Sequence, residues 1–201
     1  MTVKETLRFS ADCQMGDWLP SKEKQMRVDS ILQVLGLSHR ANTVVGDALL
    51  RGVSGGEKKR VTIGVEAVKD ASVFLLDEPT TGLDSSASYD VLRAVRLLAD
   101  MEATVLASLL QPSYEVFSLF DNVLILSHGE VAFFGARQEA MEHFNSLGYS
   151  CSQNTNPAEF LRACNTRNTR HAHTHTTTTH LCVECRGGGG EWGGYCGQPA
   201  Q

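Results

Sequence analysis

The chain has 201 residues, a formal net charge of −5 and 42% hydrophobic residues, which suits one ordinary domain with an apolar core. The acidic balance argues against a general nucleic-acid binder. The apolar runs are far shorter than the roughly 18 residues that a membrane span needs, no signal-peptide pattern opens the sequence, and the six irregularly spaced cysteines do not suggest a disulfide framework.

The first part of the chain predicts two helices, a loop and a strand. Apolar residues at helical spacing predict a helix over 22–35, which Gly36 ends. Residues 42–51 predict a loop, and Ser54 predicts the start of a helix that runs to about Val68. The continuous apolar run 73–77 predicts a strand that is buried on both faces.

Helices and strands then alternate. A helix that Asp84 or Ser85 caps is expected to end near Asp100, and a strand follows over 104–109. This strand–helix–strand order predicts a right-handed parallel crossover. The remaining elements are expected to be a short helix over 112–120, a hairpin of strands 123–126 and 131–134 that turns at 128–129, a helix over 137–147 and a short helix that Pro157 opens.

The last part of the chain, after about Asn165, is of low complexity. A His–Thr alternation and a threonine run lead to Cys182-x-x-Cys185 and a run of glycines. Because no apolar periodicity remains, residues 165–201 predict a disordered tail. The two cysteines have the spacing of zinc ligands, but the histidines are placed too loosely to support a metal site. A CA-dinucleotide repeat also encodes alternating His–Thr, so translated non-coding sequence is a further hypothesis for this segment.

The segment Ser54-Gly55-Gly56-Glu57 has the S-x-x-E pattern of a capping box. Its structural interpretation is a well-capped helix. Its functional interpretation adds two glycines with no side chain to block an anion, so that bare amides and the helix dipole point at a phosphate. The pattern alone does not decide between the two.

Two adjacent carboxylates, Asp77 and Glu78, follow the apolar strand, and Pro79 ends it. The structural interpretation is an exposed strand end. The functional interpretation places Asp77 on a magnesium ion, since Mg²⁺ prefers carboxylate and phosphate oxygens, and makes Glu78 the base that polarises the attacking water. Asp84, seven residues after Asp77, would lie in the next loop, near a partner's nucleotide. In this order, after the Ser54 helix, the motifs form a specific combination.

These motifs resemble those of the ATP-binding-cassette (ABC) transporters over roughly residues 1–163. Residues 53–64 look like the signature motif in its G-subfamily form, and residues 74–84 look like the Walker B motif and the D-loop. The likeness is to the pleiotropic-drug-resistance type. It implies an α/β fold, a partial P-loop NTPase domain with a parallel sheet, divided into a helical signature subdomain over 1–68, part of the ATPase core over 69–164 and the disordered tail over 165–201.

The resemblance also implies the site and the partners. Two nucleotide-binding domains would sandwich ATP and Mg²⁺, with Ser54, Gly55, Gly56 and Glu57 of this chain facing the terminal phosphate that the opposite domain holds. Asp77 would bind the Mg²⁺ of this domain's own nucleotide, and Glu78 would be the catalytic base. A membrane-spanning domain would be the second partner, so that the chain would lie at the cytoplasmic face of a membrane and drive export of lipids or xenobiotics.

Three departures from the family pattern limit this expectation. No Gly-Lys pair occurs in the 201 residues, so the phosphate loop G-x-x-x-x-G-K-[ST] is absent from them. The glutamine-containing loop of the family is absent as well, and Leu110 stands at the position of the switch histidine. The chain is therefore expected to be a fragment that hydrolyses no ATP by itself. The alternatives are a binding module that docks on a complete nucleotide-binding domain, and, less favoured, a soluble cassette ATPase.

Overall fold

A computed structural model describes residues 1–17, 19–47, 49–127, 130–149, 156–161 and 181–186. The first part of the chain is helical: α1 (Val3–Gln14), α2 (Ser21–Val34), a 3₁₀ turn (Ser38–Arg40) and α3 (Gly55–Ala67). The predicted helices over 22–35 and from Ser54 to Val68 are confirmed, because Ser54 is the N-cap and Val68 the C-cap of α3.

The three helices meet at Gly64 of α3. A Cβ atom built there would lie 2.7 Å from Leu35 Cδ1 and 3.0 Å from Leu7 Cδ2, so the leucine side chains would have to shift to admit it. Leu7, Ile31 and Leu35 are all buried. Glycine is therefore the residue that lets α1, α2 and α3 pack together, and this packing fixes the direction in which the start of α3 faces.

The second part contains a five-stranded sheet, with the elements β1 (Val73–Asp77), α4 (Ser85–Asp100), β2 (Thr104–Leu109), α5 (Tyr114–Phe117), β3 (Asn122–Ser127), β4 (Glu130–Ala136), α6 (Arg137–Ser146) and β5 (Leu181–Arg186). The strand order is β1-β2-β5-β3-β4. β1 and β2 are parallel, and β3 and β4 are antiparallel, as predicted. Residues 157–161 are helical, again as predicted, whereas the expected turn at 128–129 lies outside the described residues.

The prediction of a disordered tail is wrong for β5. This strand pairs antiparallel with β2 over six residues and with β3 over four, and it joins the two halves of the sheet. Backbone hydrogen bonds on both edges offset the entropy of ordering the segment. The sequence carries a pattern that fits a strand, since Leu181, Val183 and Cys185 alternate with more polar residues.

The expectation that β1 is buried on both faces is also wrong. Phe74 is buried, but Val73 is 58% and Leu75 is 74% exposed. β1 lies at the edge of the sheet, and Val73 and Leu75 line an open cavity beside α3. The apolar run was interpreted as a strand covered on two sides, whereas the side chains of Val73 and Leu75 lie largely in solvent.

Candidate functional site

The start of α3 has a complete capping box. The N–H of Glu57 donates to Ser54 Oγ at 3.3 Å, and the N–H of Ser54 donates to Glu57 Oε2 at 2.7 Å. Ser54 and Glu57 are only three residues apart, which explains why the S-x-x-E pattern alone predicted the residue at which the helix starts. The capping box fixes the first turn of α3 and so the direction of its amides.

Glu57 is held from a second side by a residue that the sequence pattern does not indicate. Arg40 donates through Nε to Glu57 Oε1 at 3.1 Å, and His39 Nε2 lies 3.6 Å from the same oxygen. Burial by itself would raise the pKa of Glu57, but the hydrogen bonds from Ser54 and Arg40 outweigh it and hold the pKa below its usual value. Glu57 is thus a buried, charged residue that stabilises the start of α3.

The amides of Gly55 and Gly56 have no hydrogen-bond acceptor among the residues that the structure describes. Ser54 and Gly55 are exposed, whereas Gly56 is buried. A Cβ atom at Gly56 would lie 3.1 Å from Ala87 Cβ, and one at Gly55 would lie 3.5 Å from Leu83 Cδ2. Close packing therefore accounts for glycine at Gly56 but not at Gly55, where the backbone faces outward.

The turn that follows β1 packs beside this helix start. Asp84 is the N-cap of α4, because its Oδ1 accepts from the N–H of Ala87 at 2.7 Å. The contacts of Leu83 with Gly55 and of Ala87 with Gly56 place the start of α4 against the start of α3. Asp84 therefore has a structural role as the N-cap of α4, next to the start of α3.

Asp77 and Glu78 lie at the carboxyl end of β1, where Ser108 of β2 joins them. Ser108 Oγ donates to Asp77 Oδ1 at 2.6 Å and accepts from the N–H of Glu78 at 3.0 Å. In the parallel register Asp77 is the direct partner of Ser108. One hydroxyl thus fixes both a carboxylate and the backbone that follows it.

Glu78 has a left-handed backbone, with φ +42°, which is strained for a residue with a side chain. Its carboxylate Oε2 accepts from Thr81 Oγ1 at 2.9 Å. The strain turns the chain sharply at the strand end, and the hydrogen bonds of Ser108 and Thr81 maintain this turn. Strained backbone of this kind is concentrated at functional sites.

The carboxylate of Asp77 fits a magnesium ligand. It is exposed, its Oδ1 is oriented by Ser108, and its Oδ2 has no partner within the described part of the chain. Mg²⁺ is commonly held by one or two carboxylates together with phosphate and water oxygens. The described residues include no group of three or more His, Cys, Asp or Glu side chains that could hold a metal ion by themselves.

The structure thus gathers the predicted residues into two groups. One contains Ser54, Gly55, Gly56 and Glu57 with Asp84 near them, and the other contains Asp77 and Glu78. Among the described residues, no hydrogen bond or ion pair between side chains joins the two groups. Sequence reasoning missed Arg40, Ser108 and Thr81. Thr81 lies inside the recognised motif, and Ser108 could have been found because carboxyl ends of neighbouring parallel strands meet at one edge.

Leu110, at the position of the expected switch histidine, directly follows the end of β2 and is 47% exposed. An aliphatic side chain can neither donate nor accept a hydrogen bond. The next residue, Gln111, has a left-handed backbone with φ +52°. None of the described helices has the length and apolar composition that crossing a bilayer requires.

The fold matches a solved structure. MJ1267, an ATP-binding cassette of an ABC transporter, superimposes with a TM-score of 0.56 at 22% identity, and the match covers 74% of this chain and 62% of that chain. Together with the parallel β1–β2 crossover and the helical first part, this likeness defines the class: the chain has the α/β fold of an ABC nucleotide-binding domain.

The sequence comparisons narrow the class to a family. The ABC transporter family matches residues 1–81, and the ABC-2 type transporter family matches residues 110–184. ABC transporter G family member 5 of Dictyostelium discoideum is 47% identical over 163 residues, which are 81% of this chain and 11% of that protein. The broad substrate specificity ATP-binding cassette transporter ABCG2 of Mus musculus is 42% identical over 161 residues, 80% of this chain and 24% of that protein.

Over about four fifths of its length the chain is therefore homologous to ABC transporters of the G family. The predicted resemblance to the ABC transporters and to their G subfamily is confirmed at that level. The chain spans between a tenth and a quarter of the length of these curated relatives, from 11% to 24%.

Proposed function

We propose that this chain is the ATP-binding and ATP-hydrolysing portion of an ABC-type exporter of lipids or xenobiotics, of the pleiotropic-drug-resistance type. The observation that carries the proposal is the pair of unoccupied amides at Gly55 and Gly56, on a helix start that Ser54 and Glu57 hold rigid. A helix N-terminus with open amides is suited to bind a phosphate group. The proposed location is the cytoplasmic face of a membrane.

In this proposal the α3 start serves a nucleotide that a second nucleotide-binding domain holds. Ser54 Oγ and the amides of Gly55 and Gly56 donate to the terminal phosphate, and the positive end of the α3 dipole adds to the attraction. Glu57 acts through the helix start, since its carboxylate is occupied by Ser54 and Arg40. Asp84 keeps α4 against α3 and borders the same nucleotide.

Asp77 and Glu78 serve the nucleotide of their own domain. Asp77 would hold Mg²⁺, which, when bound, neutralises charge on the phosphate oxygens. Glu78 would accept a proton from the attacking water. Ser108 is the positioning residue for both, because its hydroxyl orients Asp77 Oδ1 and fixes the amide of Glu78.

The partners are a second nucleotide-binding domain and a membrane-spanning domain. Since the 201 residues contain no phosphate loop, the chain by itself is expected to hydrolyse no ATP. Steady turnover by the purified chain that Glu78→Gln abolishes would contradict this expectation.

The proposal is tested by mixing the chain with a complete nucleotide-binding domain of a G-family relative whose own catalytic carboxylate is changed to the amide. Light scattering after gel filtration then measures association with and without Mg·ATP. We expect a one-to-one complex that forms only with Mg·ATP. Association that is equal with and without nucleotide, or none at all, would count against the α3 start as a phosphate ligand.

A second candidate is a catalytically inactive docking module. Leu110 favours it, because it offers no hydrogen bond where the family's histidine would lie. The two candidate functions predict different ATP turnover in a complex in which each of the two nucleotide sites has a phosphate loop. Turnover at both sites supports the ATP-hydrolysing portion, whereas nucleotide-dependent association in which Glu78→Gln changes no rate supports the module.

A further inference from the structure

Arg40 is fixed between α2 and α3 by its backbone. It ends the 3₁₀ turn Ser38–Arg40, its N–H donates to Leu37 O at 2.9 Å, and its own carbonyl accepts from the N–H of Thr43 at 2.8 Å. Leu37 is fully buried and donates in turn to Leu32 O, near the end of α2, at 2.8 Å. The packing of α2 therefore sets the place of Arg40, and the side chain of Arg40 extends from there to the start of α3.

The guanidinium of Arg40 is the permanent countercharge of Glu57. Its Nε donates to Glu57 Oε1 at 3.1 Å, while Glu57 Oε2 accepts from the N–H of Ser54 at 2.7 Å. His39 Nε2 lies 3.6 Å from the same Oε1, but a histidine carries a charge only when it is protonated, whereas an arginine is always charged. Glu57 is 8% exposed, so water screens its charge little and Arg40 has to balance it.

The capping box of α1 has no such cation. Glu5 holds the position that Glu57 has in α3, and among the described side chains it bonds to Thr2 and forms no ion pair. The first amides of α1 donate to the carbonyls of Ala41 and Thr43, which leaves them no free donor for an anion. Of these two helices, the one with open amides is therefore the one whose box carboxylate is paired with an arginine.

The pairing matters because Glu57 lies in the turn that is proposed to face a phosphate. Its carboxylate is bound to the N–H of the N-cap residue, beside the open amides of Gly55 and Gly56. A negative charge at that place opposes a phosphate, and the opposition is stronger where water is excluded. The Arg40 guanidinium cancels this charge, so that an anion meets the positive end of the α3 dipole.

We propose that Arg40 is a positioning residue of the phosphate site at α3, which holds the Glu57 carboxylate in the capping box and cancels its charge. Arg40 itself touches no nucleotide and acts through Glu57. The proposal rests on the proposed function and deepens it, because it adds to the site a residue that lies outside the recognised motifs.

The association of the full 201-residue chain with a complete nucleotide-binding domain loaded with Mg·ATP, whose own catalytic carboxylate is changed to the amide, tests the proposal. Arg40→Gln leaves the Glu57 charge unbalanced and should raise the dissociation constant about tenfold at about 50 mM salt. The increase should fall to about threefold at about 500 mM salt, which a displaced loop would not show. Arg40→Lys keeps the charge and should stay within about threefold of the wild type.

Arg27→Gln is the matched control. It also removes the charge of an arginine that is paired with a carboxylate, but its partner, Asp70, lies beyond the opposite end of α3. It should leave the dissociation constant unchanged, and circular dichroism verifies that every variant is folded.

A double variant separates charge balance from direct contact with the phosphate. Arg40→Gln with Glu57→Gln should recover most of the affinity, since a glutamine side chain still accepts from the N–H of Ser54 and carries no charge. If the wild-type chain does not associate, the proposed function fails and the role of Arg40 fails with it. If the wild type associates but Arg40→Gln binds equally well, Arg40→Lys binds as poorly as Arg40→Gln, or the double variant is no better than Arg40→Gln, the role of Arg40 is overturned while the proposed function stands.

Discussion

The helices α1 and α3 begin with the same capping box in different surroundings. At α1, Glu5 N–H donates to Thr2 Oγ1 at 3.3 Å and Thr2 N–H donates to Glu5 Oε2 at 2.8 Å. At α3, the corresponding distances between Ser54 and Glu57 are 3.3 and 2.7 Å. The geometry of the box is therefore no evidence for a ligand.

The amides next to the box differ. At α1, the N–H of Val3 donates to Thr43 O and the N–H of Lys4 donates to Ala41 O, both at 2.9 Å. The corresponding amides of α3, at Gly55 and Gly56, have no acceptor in the described part of the molecule. One helix start is closed by a loop of its own chain, and the other remains available to an anion.

The comparison shows what a capping box predicts and what it leaves open. It predicts where a helix begins, which was correct at Ser54. Whether the remaining orphan amides are satisfied depends on a loop distant in sequence, such as residues 41–43 at α1. The hypothesis that α3 binds a phosphate therefore depends on the surroundings of its first turn. Equivalent substitutions at different helix starts test it, because only those at α3 should affect nucleotide binding.

The largest expected effect is that of Gly55→Asp on nucleotide-dependent association. A carboxylate on the exposed first turn would lie where the phosphate is proposed to bind, and the like charges should weaken Mg·ATP-dependent association with a complete domain at least about 30-fold. The nearest atom to a new Cβ is Leu83 Cδ2 at 3.5 Å, so the fold should tolerate the change. Association is measured by light scattering.

The control is Lys22→Asp, which places a carboxylate in the first turn of α2 and makes the net charge more negative than Gly55→Asp does. It should leave association unchanged. Equal losses in the two variants would mean that net charge, and not the start of α3, controls binding.

The next effect concerns the stability of the two boxes. Ser54→Ala should lower the free energy of unfolding by about 2 kcal/mol and Thr2→Ala by about 1 kcal/mol. The difference is expected because the Ser54–Glu57 bond is partly buried, whereas the Thr2–Glu5 bond is exposed, so water replaces the lost oxygen only at Thr2. Urea unfolding measures both values. A larger cost for Thr2→Ala would reverse the comparison.

A smaller effect should appear in the pH dependence of stability. The hydrogen bond from the Thr2 backbone lowers the pKa of Glu5. At Glu57 burial raises the pKa, and the bonds from Ser54 and Arg40 lower it further than burial raises it. A lowered folded-state pKa contributes stability above the unfolded value, about 4.3, and this contribution is lost as the pH falls through the folded value.

Glu57→Gln should therefore flatten the fall of the urea midpoint between about pH 5 and pH 3 more than Glu5→Gln does. The reason is that Arg40 adds a charged donor at Glu57, which the amide would no longer attract. Urea midpoints across this pH range provide the test. If the pH dependence of the urea midpoint flattened equally in both variants, Arg40 would not contribute to the pH dependence of stability.

Local patterns predicted much of the fold and the first turn of α3. Ser54 as the N-cap, the parallel pair of strands and the carboxylates after β1 follow from neighbours in sequence or from a short crossover. Ser108 and Arg40 were missed because each reaches its partner across the fold, through strand register in one case and through the turn before α3 in the other.

The errors in the fold have one physical origin. An apolar run such as β1 shows that a strand is favoured, but not how many of its faces are covered, and Leu75 is exposed. Conversely, β5 lies in a low-complexity part of the sequence, and a six-residue strand is too short to be ordered by itself. Its neighbours β2 and β3 supply the backbone hydrogen bonds that order it. Coverage and pairing are properties of distant segments, which periodicity does not report.

The smallest expected effect separates a mere helix start from a phosphate site most directly. Gly55→Ala should raise the free energy of unfolding by about 0.5 kcal/mol, because alanine restricts the unfolded chain and its Cβ meets Leu83 at an ordinary 3.5 Å. The added methyl group should also weaken Mg·ATP-dependent association by about threefold, since each 1.4 kcal/mol is tenfold and the methyl group crowds the anion only partly. Gly56→Ala is the matched variant: its Cβ would lie 3.1 Å from Ala87 Cβ, so it should gain no stability. If Gly55→Ala stabilised the chain and left association intact, Gly55 would be only the first residue of a well-capped helix, like Val3 at the start of α1.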